Sequence, residues 1–187
     1  KALFGWITGQ YRFTRYAADK DARGARVLLT SDVAAIAPMV AEARAVMLVR
    51  DMVNTPAADM GPAALEAEAA RIAKAHGAAL TVTKGDALAA GFPLIHAVGR
   101  AADKIHFPRL IELYWGKETH PKIAIIGKGV CFDSGGLDIK PAAGMLLMKK
   151  DMGGAAHALA LAELIMAAGL PVRLHCLVPA VENAISG

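Results

Sequence analysis

The chain has 187 residues, of which 55% are hydrophobic and 5% aromatic, and its formal net charge is +4. This composition excludes a disordered or fibrous protein and is typical of one globular α/β domain. The basic residues are scattered along the chain, which argues against a nucleic-acid-binding surface. Two cysteines cannot form a disulfide framework, so we expect both to be reduced and the protein to be cytoplasmic.

The first third of the chain predicts one short strand and one long helix. Residues 1–24 are expected to be irregular, with an amphipathic piece near residues 6–16. The run RVLLT at residues 26–30 is a candidate strand. Apolar residues at helical spacing begin at Val33, and this helix should end near residues 54–56 (NTP), because the residue before a proline avoids the helical conformation.

From Pro62 onwards, helices and short strands alternate. Pro62 suits the first position of a helix, and Gly77 should stop that helix. We expect helical segments at 64–75, 86–90 and 153–168, and strands at 79–83, 94–98, 109–115, 122–126 and 172–178. Near-continuous apolar strands between helices indicate a three-layer α/β/α fold with a central, mostly parallel, mixed sheet.

The segment GKGVCFDSGGLDIKPAAGMLLMKKDMGG, residues 127–154, concentrates charged groups on a glycine-rich backbone. Its charged positions include Lys128, Asp133, Lys140 and Asp151. Such groups are costly to place near a core unless they are paired or hold a metal. Ligands of open α/β sheets bind at the carboxyl ends of the strands, and the fold could bring these residues together there. The segment therefore suggests a divalent metal site.

Each of these residues also has a simpler interpretation. Asp133 could form a turn, Asp151 could cap the following helix, and Lys149 and Lys150 could be surface charges. These interpretations leave Lys128, at a strand end beside the core, unexplained. From spacing alone, the metal site and the simpler interpretations both remain open.

The ordered motifs GKGVCFDSGG, LDIKP and MKKDMGGAA resemble the core of the leucyl aminopeptidases, which are cytosolic dimetal exopeptidases. Three further segments, GQYRFTRY, RDMVNTPAADMGP and PAVENAISG, are similar to other parts of that family. The resemblance implies that residues 1–25 form a connector and that residues 26–187 form the first part of a truncated catalytic domain of aminopeptidase type. It also implies a cytoplasmic, hexameric metalloprotease that acts on peptides with a free N-terminus.

The resemblance implies a role for five residues of the chain. Lys128 matches the lysine that binds the more tightly held metal, and Asp133 matches the aspartate that bridges two metals. Asp151 matches a second aspartate on the tight site, close to the substrate's amino group. Lys140 matches the catalytic lysine that polarises the scissile carbonyl, and Met148 lines the pocket for the first side chain. The implied reaction removes leucine-type N-terminal residues by water activated between two Zn²⁺ or Mn²⁺ ions.

The sequence departs from the family at one important point. The family completes its site with an Asn-Thr-Asp-Ala-Glu-Gly-Arg segment, which has no match here, so we expect the chain alone to bind two metals poorly and to be inactive. His157 is expected to pack against the protein, and Cys131 is expected to be structural. The alternative function is a non-catalytic or DNA-binding relative of the family. A phosphate-binding loop is a weaker possibility, since the glycines lack the required spacing.

Overall fold

The computed structural model describes residues 2–18, 24 and 26–187. The strands are β1 (Ala79–Lys84), β2 (Arg109–Trp115), β3 (Lys122–Ile126), β4 (Gly129–Asp133) and β5 (Arg173–Asn183). The α-helices are α1 (Ala2–Thr8), α2 (Val33–Asn54), α3 (Pro62–His76), α4 (Gly85–Gly91), α5 (Pro93–Gly99), α6 (Ala142–Met145) and α7 (Gly153–Ala167). Short 3₁₀ turns cover Lys104–His106 and Met148–Met152. No helix of this described part is long and apolar enough to span a membrane.

The five strands form one mixed sheet around the long strand β5. The strand order is β1-β2-β5-β3, and β4 also pairs with β5. The pairs β1–β2 and β2–β5 are antiparallel, whereas β3 and β4 both run parallel to β5. The sheet and its flanking helices confirm the predicted α/β fold class.

The main hydrophobic core lies between one face of the sheet and the helices α2, α3 and α7. Buried residues of β2 and β5, including Leu113 and Val178, meet Ile72 of α3 and Leu159 of α7. Each such side chain contributes about 1.5–3 kcal/mol when it is fully removed from water. The other face is covered at one end by α5, where Gly99 packs against Val181 of β5. The core therefore holds α7, and the segment leading into it, firmly against the sheet.

Strand β3 and the start of β4 follow one register along β5, although they are separate strands, and the register of β4 shifts between Val130 and Asp133. Lys122 pairs with Arg173 at the start of β3, and Gly129 pairs with Ala180 at the start of β4. The same offset therefore continues across residues 127–128, where the ladder is interrupted. Lys128 lies in this interruption.

The first segment of the chain packs on the end of α2. The predicted irregular start contains helix α1, and Arg50 of α2 donates a hydrogen bond to the Thr8 carbonyl at 3.0 Å. Further on, the Tyr11 hydroxyl donates to Asp51 Oδ1 at 2.7 Å. The assignment of residues 1–25 as a connector stays a prediction, and residues 1, 19–23 and 25 lie outside the described part.

Two of the predicted strands are wrong. Residues 94–98 form helix α5, because Pro93 occupies its first turn with a backbone angle already suited to a helix. A short apolar run does not by itself distinguish a strand from a helix. Residues 26–30 are not a strand either, and Leu29 is exposed. This segment pairs with no strand among the described residues, and a strand without a partner leaves its backbone groups unbonded.

Candidate metal centre

Pro179 of β5 weakens the ladder beside Lys128, where β3 ends and β4 begins. In the register shared by β3 and β4, Pro179 lies opposite Lys128. The Gly127 N–H still donates to the Leu177 carbonyl at 3.0 Å, but proline has no N–H to donate in return. One residue on, the Lys128 carbonyl accepts from the Ala155 N–H of α7 at 2.8 Å. The break therefore ties Lys128 to the beginning of α7.

Two glycines allow this close contact between the strand and the helix. A Cβ atom on Gly154 would lie 2.8 Å from the backbone nitrogen of Lys128, and one on Gly127 would lie 2.5 Å from the Gly154 carbonyl oxygen. Both distances are too short for real side chains, and the atoms in the way belong to the backbone. These two glycines thus bring Lys128 next to the turn that carries Asp151.

Lys128 and Asp151 form the first ion pair of the site. Lys128 Nζ lies 2.7 Å from Asp151 Oδ2, with the lysine side chain 60% exposed and the aspartate side chain 19% exposed. Although this distance defines an ion pair, Oδ2 itself is buried and accepts no hydrogen bond of good geometry. This oxygen has the Lys128 ammonium as its positively charged neighbour, and a carboxylate oxygen of this kind is also a suitable ligand for a metal cation.

Asp133 and Lys140 form the second ion pair, at the end of β4. Asp133 Oδ2 lies 3.2 Å from Lys140 Nζ, while its Oδ1 accepts from Asn183 Nδ2 at 2.7 Å and from the Gly135 N–H at 3.0 Å. Burial raises the pKa of Asp133, but the hydrogen bonds and the Lys140 charge outweigh it and hold this pKa below its ordinary value. The carboxylate is therefore stabilised in its charged form.

The loop after β4 folds back to bring Lys140 to Asp133. Gly135 and Gly136 adopt φ angles of 91° and 63°, which side-chain-bearing residues rarely adopt. The Lys140 N–H donates to the Ser134 carbonyl at 2.9 Å, and Ser134 Oγ donates to the Asn183 carbonyl at 2.7 Å. The loop is thereby closed on itself and fastened to the end of β5.

The 3₁₀ turn Met148–Met152 carries the remaining predicted residue and connects directly to α7. Met148 begins this turn and is half-buried, while Met152 at its end is fully buried in the core. Lys149 is half-buried and donates from Nζ to the Asn54 carbonyl at 2.6 Å. The interpretation of Lys149 as a surface charge is therefore wrong, whereas Lys150 is exposed as expected.

Comparison with known proteins identifies the family. A family model described as the cytosol aminopeptidase family, catalytic domain, matches residues 47–187. The chain belongs to this family. It is 39% identical over 198 residues to a probable cytosol aminopeptidase of Rhodococcus opacus strain B4, covering 97% of this chain and 39% of that protein. A probable cytosol aminopeptidase of Rhizobium rhizogenes is 35% identical, with coverage of 98% and 39%.

Solved structures of cytosol aminopeptidases and related enzymes have the same fold. The Coxiella burnetii cytosol aminopeptidase matches with a TM-score of 0.91 and 47% identity, over 98% of this chain and 39% of that one. The bottromycin maturation enzyme BotP, in complex with Mn, matches with a TM-score of 0.82 and 33% identity over the same shares. The chain thus spans about 39% of the length of these relatives. The predicted resemblance and aminopeptidase-type fold are confirmed.

Within the cytosol aminopeptidase fold, the predicted site residues form two separate pairs, Lys128 with Asp151 and Asp133 with Lys140. Across residues 2–18, 24 and 26–187, no three His, Cys, Asp or Glu side chains are grouped to hold a metal. Met148 lies on the same turn as Asp151. The roles that the resemblance gives to these five residues stay predictions.

Two further residues were considered as reactive groups. His157 Nδ1 donates a hydrogen bond to the Gly153 carbonyl of its own helix at 2.7 Å. The side chain is exposed, so the expectation that it packs in the protein interior is wrong. Burial raises the pKa of the Cys131 thiol to about 12, so this thiol is protonated at neutral pH and inert as a nucleophile. This agrees with a structural role for Cys131.

Sequence reasoning missed three residues that shape the candidate site: Pro179, Asn183 and Lys149. The first two belong to the motif PAVENAISG, and their position after an apolar strand was the available signal. Their partners lie on β3, β4 and the following loop, about 50 residues earlier in the chain. Such pairings depend on strand register, which a motif alone does not supply.

Proposed function

We propose that this chain forms part of a metal-dependent exopeptidase that removes N-terminal, leucine-type residues from peptides. The supporting observation is the pair of Lys–Asp contacts beside the ends of β3 and β4, in a family whose named members are aminopeptidases. The simpler interpretations, in which Asp133 forms a turn and Asp151 caps a helix, do not explain why each aspartate is paired with a lysine.

The residues of the site fit a divalent metal in part. We propose Lys128, Asp133 and Asp151 as ligands, since carboxylate oxygens and a neutral amine suit Zn²⁺ or Mn²⁺. The buried Asp151 Oδ2, which lies 2.7 Å from the Lys128 ammonium, supports this assignment. The Mn complex of BotP gives independent support for metal use in a structural relative. Two bound ions would lower the pKa of a water molecule and polarise a peptide carbonyl.

Lys140 is proposed as the catalytic group that does not bind metal. Its ammonium faces Asp133 Oδ2 at 3.2 Å, and its side chain remains 32% exposed, so it is accessible to a substrate. A fixed positive charge at this position would stabilise negative charge that develops on the carbonyl oxygen of the cleaved bond. The closed loop from Ser134 to Lys140 keeps that charge in place.

Asp151 and Met148 are proposed to bind the substrate. The Asp151 carboxylate would attract the positively charged N-terminus of a peptide, which explains a requirement for a free amino group. Met148, three residues earlier on the same turn, would contact the first side chain, and its flexible thioether suits a leucine-type group.

The chain carries only part of this site. It spans about 39% of its relatives, and its described residues offer two carboxylates in separate pairs rather than a complete ligand group. We propose that the chain alone binds metal poorly and lacks useful turnover. The active form would be the full-length protein, assembled as a homo-hexamer.

The test uses the full-length protein. Metal analysis by mass spectrometry should find bound Mn²⁺ or Zn²⁺, and leucine p-nitroanilide should be hydrolysed until EDTA removes the metal. Added Mn²⁺ should restore the activity. N-acetyl-leucine p-nitroanilide is the matched control, because it lacks the free amino group and should not be cleaved. Equal hydrolysis of both substrates, or activity that survives metal removal, would contradict the proposal.

A further inference from the structure

The Asn-Thr-Pro segment at residues 54–56 has no role in the proposed site, yet it contacts the turn that carries Asp151. Lys149 donates from Nζ to the Asn54 carbonyl at 2.6 Å, and Asp151 follows two residues later. We propose that Lys149 is a positioning residue, which fixes the turn Met148–Met152 on the end of α2 and thereby holds Asp151 in place for metal binding. This inference rests on the proposed metal site.

The sequence of the segment explains why the Asn54 carbonyl is available. The residue before a proline avoids helical angles, and Thr55, before Pro56, adopts φ −65° and ψ 129°. Helix α2 therefore ends at Asn54, and the carbonyls of its last turn have no partner in the helix. The Thr55 N–H and hydroxyl both donate to the Asp51 carbonyl, which leaves the Asn54 carbonyl for another donor.

A lysine is well suited to fill this position. The carboxyl end of a helix carries partial negative charge, and a cation that donates to a carbonyl there makes a stronger hydrogen bond than a neutral donor. Lys149 is half-buried, so its contact is partly shielded from water. Its neighbour Lys150 is exposed and makes no ion pair among the described residues. The two lysines of the KKD motif thus have different environments.

The contact matters because the turn that holds Asp151 is short. Met152 anchors its end in the core with no exposed surface, and Lys149 anchors its beginning on α2. Asp151 lies between the two anchors and faces Lys128. Without Lys149, the turn would lose its hydrogen bond to the end of α2, and the Asp151 carboxylate would sample positions unsuitable for a metal.

The end of α2 is also held by Tyr11 of the first segment of the chain. Asn54 Nδ2 donates to the Tyr11 hydroxyl at 3.2 Å, and that hydroxyl donates to Asp51 Oδ1 at 2.7 Å. The Tyr11 ring also lies under the Arg50 guanidinium, 5.4 Å from the ring centroid. The carbonyl that Lys149 binds therefore belongs to a well-supported helix end, as a positioning contact requires.

The test compares Lys149→Met with Lys150→Met in the full-length protein. Both changes remove one positive charge from neighbouring positions, so the second is a matched control. Mn²⁺ is titrated into metal-free protein by calorimetry, and far-UV circular dichroism and the Tm of the metal-free protein check folding. Lys149→Met should weaken Mn²⁺ binding by about 10- to 100-fold, as is typical for residues that orient a ligand. Lys150→Met should bind as the wild type does, and Lys149→Arg should restore most of the affinity.

The outcomes separate this inference from the proposed function. A wild-type protein that neither binds Mn²⁺ nor cleaves leucine p-nitroanilide would contradict the function itself. Normal wild-type binding with equal affinities for Lys149→Met and Lys150→Met would overturn the role of Lys149. If Lys149→Met does not fold, Lys149→Gln and Lys149→Arg decide the question. Weaker Mn²⁺ binding by the glutamine variant supports the positioning role, and equal binding by the two overturns it.

Discussion

Asn183 donates its side-chain amide to Asp133 Oδ1 at 2.7 Å, where the last paired residues of β4 and β5 meet. The Gly135 N–H donates to the same oxygen, and Lys140 faces the other one. Together these groups hold the pKa of Asp133 below its ordinary value despite burial, which alone would raise it. The end of β5 thus maintains a charged carboxylate where a metal ligand is proposed.

Asn183→Leu should destabilise the full-length protein in a pH-dependent way. A carboxyl group whose pKa is lower in the folded than in the unfolded protein stabilises the folded state at pH values above its unfolded pKa. This contribution disappears as the pH falls through its folded pKa. At pH 7 the variant should lose about 1–3 kcal/mol of unfolding free energy, because a half-buried carboxylate loses one of its hydrogen bonds. The difference should shrink as the pH falls below the ordinary aspartate pKa, about 3.9, and through the lower pKa of folded Asp133. Urea titrations at both pH values measure it, and a constant difference would contradict the argument.

Gly154→Ala should disturb the site, whereas Gly153→Ala should not. A methyl group at Gly154 would lie 2.8 Å from the backbone nitrogen of Lys128. The atom nearest to a methyl group at Gly153 would be Val53 Cγ2, at 3.9 Å. Overpacking of this kind costs about 1–3 kcal/mol, but alanine in a helix with free space gains about 0.5–1 kcal/mol over glycine. We expect weaker Mn²⁺ binding and a lower Tm for the first variant alone. Equal Mn²⁺ affinities and equal Tm values for the two variants would mean that Gly154 does not pack tightly against Lys128.

Asp151→Asn should separate metal binding from folding. Lys128 is 60% exposed, and ion pairs with such solvent access contribute about 0–1 kcal/mol to stability. The uncharged amide should therefore leave the unfolding free energy almost unchanged. It should nevertheless abolish tight Mn²⁺ binding, because a carboxylate ligand is lost. Calorimetry and chemical unfolding measure the two effects, and a large loss of stability with intact metal binding would reverse the assignment.

Lys140→Ala should abolish hydrolysis while bound metal stays nearly constant. Removing a group that stabilises the oxyanion typically lowers kcat by about 100- to 1,000-fold. Steady-state kinetics with leucine p-nitroanilide and metal analysis of the same sample provide the two measurements. Lys150→Ala is the control, because that side chain is exposed. A parallel loss of metal would mean that Lys140 is a ligand and has been assigned the wrong role.

Much of the fold follows from local sequence patterns. The bounds of β2 and β3 are those predicted, and helix α3 begins at Pro62 and ends before Gly77 as expected. Residues 94–98 were predicted wrongly as a strand, because proline at a helix start outweighed a short apolar run there. Helices and strands were predicted correctly where the capping residues and the hydrophobic periodicity agreed. The prediction failed where the two signals conflicted.

The site was harder to predict than the fold. The sequence suggested that lysines and aspartates converge, but the choice of partners depends on the register of β4 with β5 and on the break opposite Pro179. Lys149 was interpreted as a surface charge, since its acceptor is a backbone carbonyl 95 residues away. Contacts of that range arise from tertiary packing, and a single sequence gives no direct sign of them.

Strands β3 and β4 pair only with β5 among the described residues, and the Ile126 side chain is 72% exposed. A strand that bonds on one side presents a row of free amide and carbonyl groups to any other extended polypeptide. Produced on its own, the chain should consequently self-associate by strand addition as its concentration rises. Its solution behaviour would then report intermolecular β-structure rather than the properties of the full-length protein.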